Sequence, residues 1–350
     1  MSKTIIKSLA LATIIGVSSM LLGVMSSAAQ EVTLKLHQFL PAQANVPKHI
    51  LDVWADKIEK DSNDRIKIER YPSMQLGGKP PELMDQVLDG VVDIIWTVVG
   101  YTPGRFPRTE VFELPFMMTN AEATSRAFWE MFERDMKDKE FKDMKVLGGW
   151  VHGPGAIHSA TPVSSVADMK GLKVRGASRT VNMLLEELGA IPVGMPVPAV
   201  PEALSKGVID ATTIPWEVTA SLKVPELVKN HTEFTGKALY TITFVLAMNK
   251  AKYDSLPDDL KKAIDDNSGM EFSAFAGKTQ AADGPSGREL ALKAGNNIIT
   301  LSAEESAKWR EVAQPVYDKW AADMDAKGYD GKAMIAEAEA LIKKYTDAQK

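Results

Sequence analysis

Two stretches of this 350-residue chain repeat one pattern: PELMDQVLDGVVD, ending at Asp93, and PEALSKGVID, ending at Asp210. Each places Pro-Glu in the first turn of a short helix, where proline's missing N–H is no loss. Each then places a glycine where the helix stops, a residue suited to a left-handed cap. Each continues as Gly-Val-(Val/Ile)-Asp into a strand. The periodicity around the two copies also agrees. Residues 32–39 (VTLKLHQF) alternate apolar and polar, residues 47–60 carry Ile50, Leu51, Trp54 and Ile58 at helical spacing, and residues 65–71 (RIKIERY) alternate again. The first copy supplies a helix over 81–88 and a buried strand over 91–98, of the continuous apolar kind that parallel sheets need. From Lys173 the order restarts, with a strand, a helix over 180–188, a strand over 191–195, a helix over 200–206 and a strand over 208–213. A helix over 121–137 and a strand over 145–152 lie between. The expectation is an α/β chain of two similar lobes, with a cleft at the carboxyl ends of their strands, where ligands sit in such sheets.

The C-terminal third is helical instead. Proline and early acids open a helix at 255–259, and the run 260–282 is periodic and long. Ser302-Ala-Glu-Glu305 reads as a capping box. The helix behind it runs to about Lys327, with a kink expected at Pro315 and a stop at Gly328, and a last helix covers 331–345. Standing outside the repeat, these helices are expected to brace both lobes.

The first residues read as an export signal. Lys3 and Lys7 form a positive start, residues 9–25 are mostly apolar, and Ser27 and Ala29 occupy the positions before a cut. The division expected is therefore a signal peptide over 1–29, one lobe from 30–152 plus 241–280, and a second from 153–240 plus 281–350. Export combined with zero cysteines rules out disulfides, a thiolate nucleophile and a thiolate metal site. The formal charge of −5 invites neither nucleic acid nor an anionic membrane face.

The chemistry-bearing motifs are sparse. There is no G-x-S-x-G, H-E-x-x-H or P-loop, and Gly153-Pro154-Gly155 lacks the third glycine of a dinucleotide fingerprint. The five histidines, His37, His49, His152, His158 and His231, include no helical i, i+4 pair, and no Asp-rich loop predicts a cation. Neither a catalytic residue, a metal nor a cofactor is expected.

GLKVRGASR, Gly171 to Arg179, places Arg175 at a strand tip, small residues at a turn and Ser178 at a helix start. Within it and just before it, ADMKGLKVR resembles a segment of the solute-binding proteins of TRAP transporters, the DctP-like family. YPSMQLG (71–77), GVVD (90–93), FELPF (112–116), GVIDA (207–211) and SLP (255–257) resemble further family segments in the same order. The resemblance implies a two-lobed periplasmic binding protein fold, α/β, with hinge strands and a long helix spanning both lobes. It implies a monomeric, non-enzymatic receptor that closes on an organic acid and delivers it to a TRAP membrane permease. It also implies that Arg175 is the carboxylate clamp, a role for which guanidinium offers a rigid two-pronged fork.

The chain departs from the family's sugar-acid binders in two places. Ile214 stands where they carry an asparagine, and His152-Gly-Pro-Gly155 stands where they carry a second arginine. Both changes remove hydrogen-bonding groups, and aromatic residues stand nearby. Trp216, Phe39, Trp96, Val98 and Tyr101 are therefore candidate walls, and His37, Gln38, His158 and Glu217 are candidate polar contacts. Arg179 is read as a solvated helix charge. The expected ligand is a monocarboxylate with an apolar or aromatic side, or a 2-oxo or hydroxy acid. A C4-dicarboxylate or a sugar acid is the alternative within the family. An importer subunit of the ATP-driven type and an exported lyase or hydrolase are the alternatives outside it.

Overall fold

The computed structural model describes residues 32–350, so the signal-peptide segment lies outside the described residues. The strands are β1 (Val32–His37), β2 (Ile66–Tyr71), β3 (Ile94–Val98), β4 (Met144–Val151), β5 (Gly155–Ser159), β6 (Lys173–Gly176), β7 (Ile191–Gly194), β8 (Ala211–Pro215), β9 (Asn230–Phe234), β10 (Thr243–Asn249) and β11 (Asn297–Leu301). They form two sheets, ordered β2-β1-β3-β10-β4 and β11-β9-β5-β8-β6-β7. The sheets are built alike. β2, β1 and β3 are parallel, as are β7, β6 and β8. An antiparallel strand follows in each, β10 against β3 and β5 against β8, and then a second, β4 against β10 and β9 against β5. This is a two-lobed α/β fold, one sheet per lobe.

The repeated sequence joint does the same job in both lobes. Gly90 and Gly207 have φ of +70° and +65°, as left-handed helix stops require. The Asp93 carboxylate accepts from the Lys35 amide of β1 at 2.8 Å, and Asp210 accepts from the Lys173 amide of β6 at 2.8 Å. The strands begin only after these aspartates, at Ile94 and Ala211. Val91 and Val208, expected inside strands, are instead 59% and 50% exposed. The aspartate must turn back to its neighbour strand, so the residues before it cannot yet join the sheet. All five residues of β3 are buried, as a strand covered on both faces demands.

The chain crosses between lobes after β4, after β9 and again between β10 and β11, and the first two crossings are bonded to each other. Gly155 N donates to Tyr240 O at 3.1 Å, and Thr241 Oγ1 donates to His152 O at 3.0 Å. The periodic run over 260–282 is two helices, Asp258–Asp265 and Met270–Ala282. It breaks at Gly269, whose N–H bonds the Leu147 carbonyl of β4. Ser302 Oγ caps the 24-residue helix Ala303–Ala326, which runs through Pro315. That helix touches both lobes. Trp309 meets the Phe234 ring of β9 edge-on, while Tyr317 donates to Pro115 O at 2.8 Å and Arg310 lies over the Phe116 ring. The last helix, Gly331–Asp347, lies on the Ala121–Met131 helix of the first lobe, with Lys344 paired to Glu130 at 2.7 Å.

Arg179 is not a solvated charge. It extends from the Arg179–Glu187 helix of the second lobe to Glu110 of the first (2.5 Å) and Asp323 of the long helix (2.5 Å), and Trp320 Nε1 donates to the same Glu110 carboxylate. Glu110 is buried, and these partners hold its pair in place across the lobes.

Because each aspartate joint is a charge-assisted bond to one amide, Asp93→Ala and Asp210→Ala should each cost about 1.5–3 kcal/mol of stability. Standing in separate lobes, the two losses should add in the double variant. Urea unfolding of the two singles and the double measures this, and a double variant as stable as either single would disprove the matched role.

Candidate functional site

Alternation along β6 sends Val174 into the core and Arg175 to the opposite face of the sheet. Arg175 is 2% exposed. Its Nε donates to Met195 O just past β7 (2.9 Å), and its Nη1 donates to Thr213 O of β8 (3.0 Å). Thr213 Oγ1 donates back to Arg175 O at 2.9 Å. Two strand neighbours therefore orient the guanidinium, while Nη2 is buried with no hydrogen-bond partner among the described residues.

Arg175 forms part of the wall of a cavity lined by residues of both lobes. From the first lobe, Phe39 stacks on Trp96 (centroids 4.6 Å apart) and meets Tyr101 edge-on (5.7 Å). Phe244 of β10 also stacks with Trp96, at 5.3 Å. Val98 lies two residues beyond Trp96 on the same face of β3. The second lobe adds Val197, Ile214 and Val218, and the crossings add His152, Tyr240 and Ile242. Among the described residues lining the cavity, Arg175 alone carries a formal charge. The result is an apolar, aromatic box with one cationic corner, made of parts from both lobes.

Residues 38–323 match the family model of the bacterial extracellular solute-binding proteins, family 7 (DctP). The chain belongs to this family of TRAP solute-binding proteins. It is similar to a TRAP solute-binding protein from Rhodoferax ferrireducens T118, solved with copurified benzoate, at 53% identity and a TM-score of 0.89, covering 91% of this chain and 99% of that one. It is also similar to a marine metagenome TRAP solute-binding protein specific for aromatic acid ligands, solved with 3-hydroxybenzoate, at 48% identity and a TM-score of 0.88, covering 91% and 99%. The C4-dicarboxylate-binding periplasmic protein DctP of Rhodobacter capsulatus is 29% identical over 278 residues, 77% of this chain and 80% of that one.

In this TRAP solute-binding protein the cavity brings together Arg175, Phe39, Trp96, Val98, Tyr101 and Ile214 from among the sequence candidates. The other five lie elsewhere, each for a local reason. His37 Nδ1 bonds Gln86 Oε1 at 2.7 Å and its Nε2 accepts from Leu76 N, which holds the ring outside the cavity. Gln38 folds back so that its side chain bonds both the N–H and the C=O of Leu40. Trp216 opens the short helix Trp216–Thr219, and the turn after Pro215 directs its ring to His158 and His231 (4.9 and 5.0 Å) and its N–H to Glu233. Pro215 and Val218 line the cavity in its place.

His158 belongs to a closed chain of buried hydrogen bonds. Its Nε2 faces Ile214 O at 3.0 Å and must donate, so its Nδ1 accepts from His231 Nδ1 at 2.7 Å, and His231 Nε2 accepts from the Asn296 amide. Burial, foremost, holds the two rings neutral, lowering His158 to about 3 and His231 to about 4. Glu217 accepts from Gly153 N at 2.7 Å behind the crossing, and burial raises its carboxyl to about 8, with Asp283 adding to the effect.

Sequence reasoning missed His152, Tyr240 and Phe244. Phe244 pairs with Val98 across the antiparallel ladder, a register that nothing in its own segment encodes. Gly155, read as a lost hydrogen-bonding group, is the seat of Tyr240. A Cβ there would lie 2.1 Å from the ring, so the glycine is required for this wall.

The pH dependence of stability should reveal Glu217. Its folded value of about 8 lies above the unfolded 4.5, so its contribution is complete below about pH 4.5 and is lost as pH rises through 8. The buried histidines, neutral when folded but half protonated at pH 6.5 when unfolded, add an opposite slope that fades above about pH 7.5 and is common to wild type and variant. Between pH 6.5 and 8 Glu217 takes up to about 1.4 kcal/mol per pH unit from the wild type, so the Glu217→Gln slope should be more positive than the wild-type slope by up to that amount. Urea unfolding at both pH values checks it; equal slopes would refute it.

Proposed function

We propose that this protein is the periplasmic receptor of a TRAP transporter for an aryl monocarboxylate, which it clamps through Arg175 and hands to the membrane permease. The observation that carries the reading is the buried, unpartnered Nη2 of Arg175 in the wall of an otherwise uncharged aromatic cavity. One cation in an apolar box suits one carboxylate. A C4-dicarboxylate would leave its second charge buried and unpaired, at a cost of several kcal/mol. A sugar acid would leave hydroxyls facing Phe39, Ile214 and Val197. An aryl ring instead matches the stacked faces of Phe39, Trp96 and Phe244. The benzoate and 3-hydroxybenzoate found in the two similar structures support this choice.

Binding rather than turnover fits the same walls, because the described lining side chains offer the His152 imidazole but no carboxylate, thiol or serine nucleophile beside it, and the matched family is one of solute-binding proteins. A ligand in contact with both lobes stabilises the arrangement in which the lobes meet, which is how a receptor signals occupancy to a permease. The export signal read at residues 1–29 and the periplasmic relative support a periplasmic location.

Calorimetry on protein freed of copurified ligand by unfolding and refolding tests the proposal. Benzoate should bind, whereas succinate and glucuronate should not. Arg175→Ala should lose about 2–5 kcal/mol, or roughly 30- to 5,000-fold in affinity, and Arg175→Lys should recover little of it, because an ammonium cannot form the fork. Preference for succinate over benzoate, or full affinity in Arg175→Ala, would overturn the reading.

A further inference from the structure

Among the described residues, three side chains on the cavity wall carry a buried polar atom without a protein partner: Arg175 at Nη2, Trp96 at Nε1 and His152 at Nε2. The first two are N–H donors and suit a carboxylate or the oxygen of a hydroxyl. His152 differs from them in kind, and its neighbours decide how. The residue is 1% exposed and stands at the first crossing between the lobes. Its Nδ1 lies 2.5 Å from Gly153 O and 3.2 Å from Thr241 Oγ1. The Thr241 hydroxyl already donates to His152 O at 3.0 Å. A carbonyl only accepts, so Nδ1 carries the proton. Burial, with the Arg175 charge adding to it, lowers the ring to about 4 and keeps it neutral. A neutral imidazole protonated at Nδ1 presents a bare lone pair at Nε2. The ring is fixed edge-on against Tyr240 at 5.3 Å and against Phe244 at 6.1 Å, so it cannot turn freely to a new partner.

We propose that His152 is a specificity residue that selects hydroxylated aryl carboxylates over unsubstituted ones, its Nε2 accepting the hydroxyl proton of the ligand. The proposal rests on the aryl-carboxylate reading of the cavity and adds to it. An unsubstituted benzoate brings no donor, so the lone pair stays buried and unpaired when the cavity closes on it. A ring hydroxyl satisfies it. A methoxy group of similar reach does not, because it has no proton to give. A second carboxylate is refused for the same reason, since two acceptors would face each other.

Calorimetry with the full mature chain should compare benzoate, the three hydroxybenzoates and the three matching methoxybenzoates. At least one hydroxybenzoate should bind about tenfold tighter than benzoate and than its own methoxy analogue, the worth of one buried hydrogen bond. In His152→Phe the ratio of hydroxybenzoate to benzoate affinity should fall to near one. A second measurement needs no variant: the nitrogen resonance of His152 Nε2 in the wild type should shift on adding the preferred hydroxybenzoate and stay in place with benzoate. Benzoate binding as tightly as every hydroxybenzoate, a preference that survives in His152→Phe, or an Nε2 signal that responds alike to both ligands would each overturn the assignment while leaving the aryl-carboxylate reading intact. Failure of every aryl acid to bind would overturn both.

Discussion

The guanidinium of Arg175 sets the terms for the rest of the structure. It is buried, two of its nitrogens are held by backbone carbonyls of the adjoining strand segments, and no carboxylate is among its hydrogen-bond partners. Carbonyl dipoles orient the cation without neutralising it. An uncompensated buried charge is costly, and that cost is what an incoming anion relieves. The fold must therefore provide a rigid mount for the fork, a wall that excludes water around it and an opening through which the anion arrives.

The two-lobed plan meets these demands with the same parts used twice. Each lobe presents strand ends to the cleft, and each fixes its central parallel strands with an aspartate bonded to a neighbour's amide. Phe39, Trp96 and Tyr101 come from one lobe, Arg175, Val197 and Ile214 from the other, and His152 and Tyr240 from the crossings. No single lobe makes the cavity, so occupancy and lobe position are coupled through one set of contacts. The Glu110–Arg179–Asp323 cluster lies outside the cavity and joins the same lobes through the long helix.

Behind the wall the polar groups are arranged so that each has a partner in one protonation state. The Asn296–His231–His158–Ile214 chain runs in one direction, with both rings neutral. Glu217, raised by burial, rests on the Gly153 amide. These groups looked like ligand contacts in the sequence because polar residues beside a cleft strand suggest recognition. In the structure their hydrogen-bonding capacity is spent on the protein, and they support the cavity instead of lining it.

What the sequence determined by itself was local. The repeated joint, the glycine stops, the serine caps at Ser178 and Ser302 and the placement of Arg175 at a strand tip all follow from interactions within a few residues. Only the tertiary structure decided which faces meet. Phe244 reaches the wall through its antiparallel register with Val98, Tyr240 through the space that Gly155 leaves, and His152 through the bonding of two crossings far apart in the chain. Trp216 was drawn away by the turn after Pro215. The reason is geometric: along a strand a side chain's face reverses at every residue and at every turn, so membership of a wall depends on pairings between distant segments that no single segment specifies.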